Sequence, residues 1–569
     1  MADIRPFQGL RYDPRRVPLG DVVCPPFDVI TPEEQQALYT RHPHNIVRVE
    51  LGNGLTDPAA AGNRYDSAAE LLRRWQTEGI LVREDAPSFY VYDHTFAYGG
   101  RSYRRRGLMV AGRLHDWSEE VVLPHEATRA GPKEDRLALL RAAKTNVSPL
   151  WLVYHDPGGE VRQRLEMASQ GEPTAVAEAP PEPPVAAGRH VLYAISEPEA
   201  VRRIVDLFAA RRLYIADGHH RYETAQMYRD ERRRAASTAG QARDSDAGYE
   251  FALMVLVALE DPGLLVLPTH RLVRGLERAN EEIRGALGTW FTLAPLEVPA
   301  GDETPTGAWL EQALAAAALD GGHVFGLLED GGAWLLHPRP DVDWARALPA
   351  DRSAAWRGLD VSVLDTLAMR EALGIRAEGE AARADATSHA PSDRLAYVSS
   401  FAGAVAAVRR GDAAQAYLLN PTRLDQVCAV ADARDRMPPK STYLYPKPAT
   451  GMIMHPLDGK RWTDRETRRD EPLWDGAVKG VGTILRCSAA HGTTPNSMAE
   501  PQPEPGPELG PARRTGVGRH AAGGGGVLRL RPAGGTAGGR GERAGDSSQR
   551  RVADHLEPGR PGARARHHD

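Results

Sequence analysis

The longest apolar run in the chain is FALMVLVAL, residues 251–259. It is the length of a strand, and a helix that crosses a bilayer needs about 20 apolar residues. The hydrophobic material must therefore be divided among short elements of a globular fold. NIVRVEL (45–51), SFYVYDHTF (88–96), GLMVAGRL (107–114) and RLYIA (212–216) have the β-branched and aromatic content of further strands. Helical patterns lie between them. TPEEQQALYTRH offers Thr31 as N-cap and Pro32 at the first helical position, and RYDSAAELLRRWQTEG and PKEDRLALLRAAK follow. Such interleaving predicts a mixed α/β, or α+β, fold.

With 569 residues, 41% of them hydrophobic, the chain can bury a core in two to four domains. Composition suggests the divisions. Residues 1–171 form an N-terminal α/β region, and the Pro/Ala/Glu-rich segment 172–190 reads as a linker or long loop. Residues 191–460 form a second α/β region. The tail, 461–569, is rich in Gly, Pro, Ala and Arg and is expected to be disordered, because it holds too little apolar surface to offset its ordering entropy. The 71 basic and 76 acidic residues make no global basic field, which speaks against a nucleic-acid partner. Cys24, Cys428 and Cys487 provide neither a disulfide framework nor zinc-ribbon spacing, and MADIRPFQGLRYDPRR lacks the apolar core of a signal peptide. A soluble, cytoplasmic protein with no membrane partner is the expectation.

The segment LYIADGHHRYETA (213–225) concentrates the chemistry. Its composition reads as strand, tight turn, helix start. Such a junction presents unpaired backbone N–H groups and the positive end of a helix dipole, which suit an anion. Gly218 permits a positive φ or a close backbone approach, and Arg221 offers a planar cationic fork. Helical spacing pairs His219 with Glu223 and His220 with Thr224. Adjacent histidines on a helix diverge by about 100°, which disfavours joint chelation of one metal ion. A phosphate or acid–base site and a capped turn with Asp217 as the cap both remain open on this evidence.

DGHHRYETA resembles the signature of a bacterial and archaeal family, domain of unknown function 1015. IRPFQGLRYD, VVCPPFDVITPEE, LPHEATRAGPKEDRLALLRAAKTNVSPL, LPTHRLV, AYLLNPT and MPPKSTYLYPK follow in that family's order across residues 3 to about 456. The resemblance implies a core similar to the ParB/sulfiredoxin superfamily, with additional α/β segments. Members of that superfamily bind nucleotides and include CTP-dependent clamps, sulfiredoxins and ADP-dependent free serine kinases. By motif, Gly218, His220 and Arg221 match phosphate-holding positions. His219 falls where sulfiredoxins carry their reactive cysteine, and a histidine cannot form the thiosulfinate of sulfinic-acid reduction.

Two more clusters complete the inventory. LPHEATRAGPKEDR brings His125, Glu126 and Arg136 around a helix start, with Glu126 suited to act as a general base or a Mg²⁺ ligand. MPPKSTYLYPK holds Lys440, Ser441, Thr442 and Lys447 in a proline-stiffened loop with a phosphate-friendly set of donors, and LPTHRLV adds His270 and Arg271. The expected function is a nucleotide-dependent phosphotransferase or phosphohydrolase, with ADP or ATP and Mg²⁺, acting on a small hydroxylated metabolite such as serine or its phosphate. His219, Glu126, Asp217 and Glu223 would serve catalysis. Gly218, His220, Arg221, Thr224, Lys440, Ser441, Thr442 and Lys447 would bind nucleotide or phosphate, with His125, Arg136, His270 and Arg271 as further candidates. The alternatives are a nucleotide-gated regulator of the ParB type and a metal-dependent phosphoesterase.

Overall fold

The computed structural model describes residues 1–180, 187–299, 301–375 and 394–458. The tail expected to be disordered, and Cys487 within it, lie outside the described residues. Phe251–Ala258 is the central strand of a nine-stranded mixed sheet, and every one of its residues is buried. Successive side chains of a strand point to opposite faces. Phe251, Leu253, Val255 and Val257 accordingly enter a core shared with Trp75, Tyr90, Met109 and Trp151. Ala252, Met254, Leu256 and Ala258 enter a second core with Ile204, Phe208 and Tyr222. Each large apolar side chain so buried contributes roughly 1.5–3 kcal/mol. Both faces are covered, which explains why the sequence here is a continuous apolar run.

Across the sheet the order is Val122–Leu123, Leu213–Asp217, Leu150–Tyr154, Phe251–Ala258, Arg101–Arg113, Phe89–Tyr98, Gly188–Ile195 and Ala175–Ala179. Ile4–Arg5 pairs with the far end of Arg101–Arg113. The order draws strands from both sides of 172–190, and that segment supplies a strand of its own, Ala175–Ala179, paired with Gly188–Ile195. Composition alone suggested a connector there. The buried Ala175 and Ala177 show that alternate small residues suffice to seat an edge strand.

A second, six-stranded antiparallel sheet has the order Phe291–Leu296, Gly332–Pro338, Phe325–Glu329, Gln415–Leu418, His270–Val273 and Leu395–Val398. The helices Glu303–Ala317 and Phe401–Arg409 pack with it through Leu310, Leu314, Phe401 and Val405. A short ribbon, Leu265–Leu267 with Tyr443–Tyr445, carries the lysine-rich loop.

The predicted helices form at Pro32–Arg41, Arg64–Thr77 and Ala130–Ala143. Thr31 caps the first in a capping box: its hydroxyl accepts from the Glu34 N–H at 3.2 Å, and Glu34 Oε2 accepts from the Thr31 N–H at 2.8 Å. NIVRVEL is the exception among the predicted strands, since Val47–Glu50 is a helical turn. Asn45 explains it. Its Oδ1 accepts from the Val47 N–H at 3.0 Å and its Nδ2 donates to the Asp21 carbonyl at 2.7 Å. This side-chain turn just ahead of the helix, with Ile46, Val47 and Val49 all buried, overrides the β propensity of the run.

Candidate functional site

The strand Leu213–Asp217 ends at Gly218, whose φ of 97° turns the chain directly into the 20-residue helix His219–Thr238. The first N–H groups of a helix have no intrahelical acceptor, so this junction offers donors and a positive dipole end. Asp217 sits at the turn and shares its carboxylate between two cations. Arg221 Nη2 donates to Oδ2 at 2.5 Å and Lys447 Nζ lies 2.6 Å from Oδ1. Lys447 also donates to Asp28, from the Pro-Pro turn near the N-terminus. The ammonium is buried, which would lower its pKa, but Asp217 and Asp28 outweigh burial and hold it above the ordinary range. Burial raises the Asp28 carboxyl, whereas Lys447 and Arg221 pull it down with the larger net effect. Arg221 is further engaged through Nη1 to the Pro149 carbonyl at 2.6 Å.

Above this floor stand two buried imidazoles. His125 and His219 meet edge to face with ring centroids 4.6 Å apart. Nε2 of His219 accepts from the His125 N–H at 3.3 Å, which leaves the proton on Nδ1, and Nδ1 lies 3.6 Å from Glu126 Oε2. Burial pushes His125 down to about 4. It also holds His219 well below its usual value, with the His125 and Arg436 charges acting in the same direction. Both rings are therefore neutral near pH 7. Glu126 keeps 41% of its side chain exposed yet is crowded by protein, as a group in a concave mouth would be. That crowding raises its pKa, with Lys440 opposing and Asp217 adding to the rise.

The proline-stiffened loop closes the group. The Met437 N–H donates to the His125 carbonyl at 2.8 Å, and the Thr442 hydroxyl is 3.5 Å from His125 Nε2. Lys440, exposed, adopts a positive φ of 56°, and its carbonyl accepts from the Thr269 hydroxyl at 2.5 Å. The segments 125–126, 217–221 and 436–447 thus share one place, joined by Asp28. Two of these residues were not among the sequence-based site candidates. Asp28 carried the signal of its stiff CPPFD turn. Arg436 immediately precedes MPPKST; it is half-buried, has no carboxylate at ion-pair distance among the described residues, and burial lowers its pKa.

The other candidates are otherwise engaged. Glu223 accepts from Thr128 Oγ1 at 2.5 Å and from Lys133 Nζ at 2.9 Å, and His220 Nε2 accepts from the Arg129 N–H at 2.9 Å. These bonds clip the 125–130 loop to the helix. The buried Thr224 faces the Lys133 carbonyl at 3.4 Å, and Ser441 donates to the Pro438 carbonyl at 2.6 Å. Arg136 binds Asp135 and the Glu50 carbonyl and covers the Phe27 ring at 4.3 Å. His270, pushed down to about 3 by burial, accepts from the Leu419 N–H at 3.2 Å against Phe401. Arg271 is buried in a two-bond pair with Asp365, at 2.9 Å for each bond, and reaches the Lys440 carbonyl at 3.4 Å. Cys24 and Cys428 are buried thiols raised by burial, Cys428 to about 12.

His219 and His220 diverge, as helical geometry requires. Among the described residues no three His, Cys, Asp or Glu side chains are grouped to hold a metal ion, and no helix is long and apolar enough to cross a membrane. A cavity of about 730 Å³ lies elsewhere, lined by Asp93, Arg104, Arg106 and Arg189 among others. Its arginines are already paired, two with Asp93 and one with Glu178.

The family model described as protein of unknown function (DUF1015) matches residues 4–362. No curated protein matches the sequence. Among solved structures, a free serine kinase in complex with AMP is 11% identical and covers 57% of this chain and 83% of its own, with a TM-score of 0.26. A conserved hypothetical protein from Pyrococcus furiosus is 13% identical over 58% of this chain and 90% of its own, also at 0.26.

Proposed function

The chain belongs to the DUF1015 family of proteins of unknown function, and on that premise we propose that the site around Lys447 binds a nucleotide and transfers or hydrolyses a phosphoryl group. The observation that carries this reading is the convergence of the helix start at His219 with Lys447, Lys440 and Arg436 beside Glu126, whose carboxylate has no lysine or arginine at ion-pair distance among the described residues. Phosphates lie against the helix N-terminus, where backbone donors and cations are already oriented. Arg436 and Lys440 grip them from the loop side. Lys447 uses two of its three donors on Asp217 and Asp28 and presents the third.

Glu126 is the general base. Burial raises its pKa, which makes it a stronger base than an exposed carboxylate. His219, neutral and with Nδ1 3.6 Å from the Glu126 carboxylate, stands beside it to orient it. The proton of a small hydroxylated substrate, or of water, passes to Glu126 as its oxygen bonds to phosphorus and the bond to the leaving phosphate breaks. Mg²⁺ fits this setting, since it takes few protein carboxylates and completes its shell with waters and phosphate oxygens. Glu126 would hold it only through its water shell, which leaves the carboxylate free to take the proton, and the ion when bound would neutralise phosphate charge. The kinship with ParB and sulfiredoxin implied by DGHHRYETA, and serine or phosphoserine as substrate, belong to this proposal.

Thermal shift and calorimetry on the full chain with ATP, ADP and O-phosphoserine test it. A ligand at a hundredfold excess over its Kd stabilises by about 2.7 kcal/mol. Glu126→Gln is expected to keep nucleotide affinity while losing about a hundredfold or more in turnover of a hydroxylated acceptor. No stabilisation by any nucleotide would sink the reading.

A further inference from the structure

The loop that supplies Lys447 also supplies a row of aromatic rings. Tyr443 and Tyr445 are two residues apart on one strand, so they share a face while Leu444 enters the core. Their ring centroids are 6.4 Å apart and their planes tilt by only 33°. Tyr445 meets Tyr98, from the hairpin Phe89–Tyr98/Arg101–Arg113, at 5.3 Å, and takes the edge of the buried Phe96 at 6.0 Å. Tyr443, Tyr445 and Tyr98 are each half-buried, so the row packs against the protein while part of each residue still reaches solvent. The inner end of the row adjoins the charged group. Thr442 reaches His125 at 3.5 Å, and the Tyr443 hydroxyl lies within electrostatic reach of Lys447, Asp28 and Asp217.

We infer that Tyr443, Tyr445 and Tyr98 form a stacking platform for a planar heteroaromatic base on the ligand whose phosphates lie at the start of the helix His219–Thr238. The inference rests on the phosphate-site reading above and adds the part of the ligand that the charges do not touch. A flat π-face against a tyrosine row gains stacking without base-specific hydrogen bonds, so the platform accepts the purine or pyrimidine class rather than one base.

Titration calorimetry on the full chain compares ATP with inorganic tripolyphosphate, which carries the same phosphate chain without base or ribose. Wild type is expected to bind ATP roughly tenfold or more tightly than tripolyphosphate. Tyr443→Ala and, independently, Tyr98→Ala are expected to weaken ATP by a similar factor and leave tripolyphosphate unchanged, while Tyr443→Phe retains ATP binding. Equal wild-type affinity for the two ligands overturns the platform and leaves the phosphate site standing, and the wild-type comparison needs no variant to fold. Loss of tripolyphosphate binding along with ATP in both alanine variants also overturns the platform, since it would mean that the rings only support the fold. Failure of wild type to bind either ligand overturns the phosphate site and the platform together.

Discussion

Lys447 is a residue whose environment decides its role. A buried ammonium between two carboxylates is costly to dismantle from one side, because the partners left behind keep their desolvation penalty. Lys447→Met is expected to destabilise the protein by roughly 3 kcal/mol in urea denaturation. Removing Asp217 as well, as Asn, should recover part of that loss. Losses that add, so that the double variant falls by the sum of the Lys447→Met and Asp217→Asn losses, would mean that the pair is not coupled. The buried histidines make a pH prediction. His125 sits at about 4 in the folded protein, against about 6.5 when unfolded. Between those values the unfolded chain binds more protons, so this contribution is fully present above pH 6.5 and is lost as the pH falls toward 4. By pH 5 about 2 kcal/mol of it has been lost for this side chain. Asp261, raised by burial to about 6, works in the opposite sense over the same window. The check is therefore a comparison: His125→Gln should show a shallower loss of stability between pH 7 and 5 than wild type, and parallel curves would count against a neutral buried ring. Sequence identified His125 and His219 by type but could not show that they meet edge to face or that both are neutral, since burial is a property of the packed chain.

At the scale of elements, the junction of Leu213–Asp217 with His219–Thr238 was legible in outline. Strand composition, Asp-Gly and helix formers follow each other without a gap, and Gly218 does adopt the positive φ that glycine tolerates. A Cβ there would meet Leu150 Cδ2 at 3.1 Å and the Arg221 guanidinium at 3.2 Å, as well as the strained φ. Gly218→Ala is thus expected to cost about 1–2 kcal/mol and to weaken phosphate binding more than a comparable change at an exposed turn glycine such as Gly240. Chemical denaturation and calorimetry of the two variants side by side test this. NIVRVEL shows the limit of reading elements locally. Its β-branched residues predict a strand, yet one asparagine side-chain turn and three buried side chains make a helical turn. Glu223 and His220 show a similar limit at the site: helical spacing placed them near the helix start, but their bonds go to Thr128, Lys133 and the Arg129 backbone.

At the scale of the molecule, the second sheet buttresses the site from outside it. Thr269 and Arg271, beside and on its strand His270–Val273, hold the Lys440 carbonyl, and Arg271 is itself fixed by Asp365. Arg271→Met is expected to destabilise by roughly 3–5 kcal/mol. It should also raise amide exchange in the 437–442 loop and weaken ligand binding, although Arg271 is engaged with Asp365 and the Lys440 carbonyl rather than placed against the ligand. Unchanged exchange in that loop would show the two sheets to be independent. The sequence by itself determined the α+β class, most element positions and the chemistry-bearing motifs, because period, caps and turn residues act over a few neighbours. Only the tertiary structure decided that strands from both sides of the Pro/Ala/Glu-rich segment share one sheet. It alone brought Asp28, Arg436 and Lys447 to the helix start and sent Arg136, His270 and Arg271 into supporting roles. Those outcomes depend on long-range burial and ion pairing between residues hundreds of positions apart, for which no local pattern carries a signal.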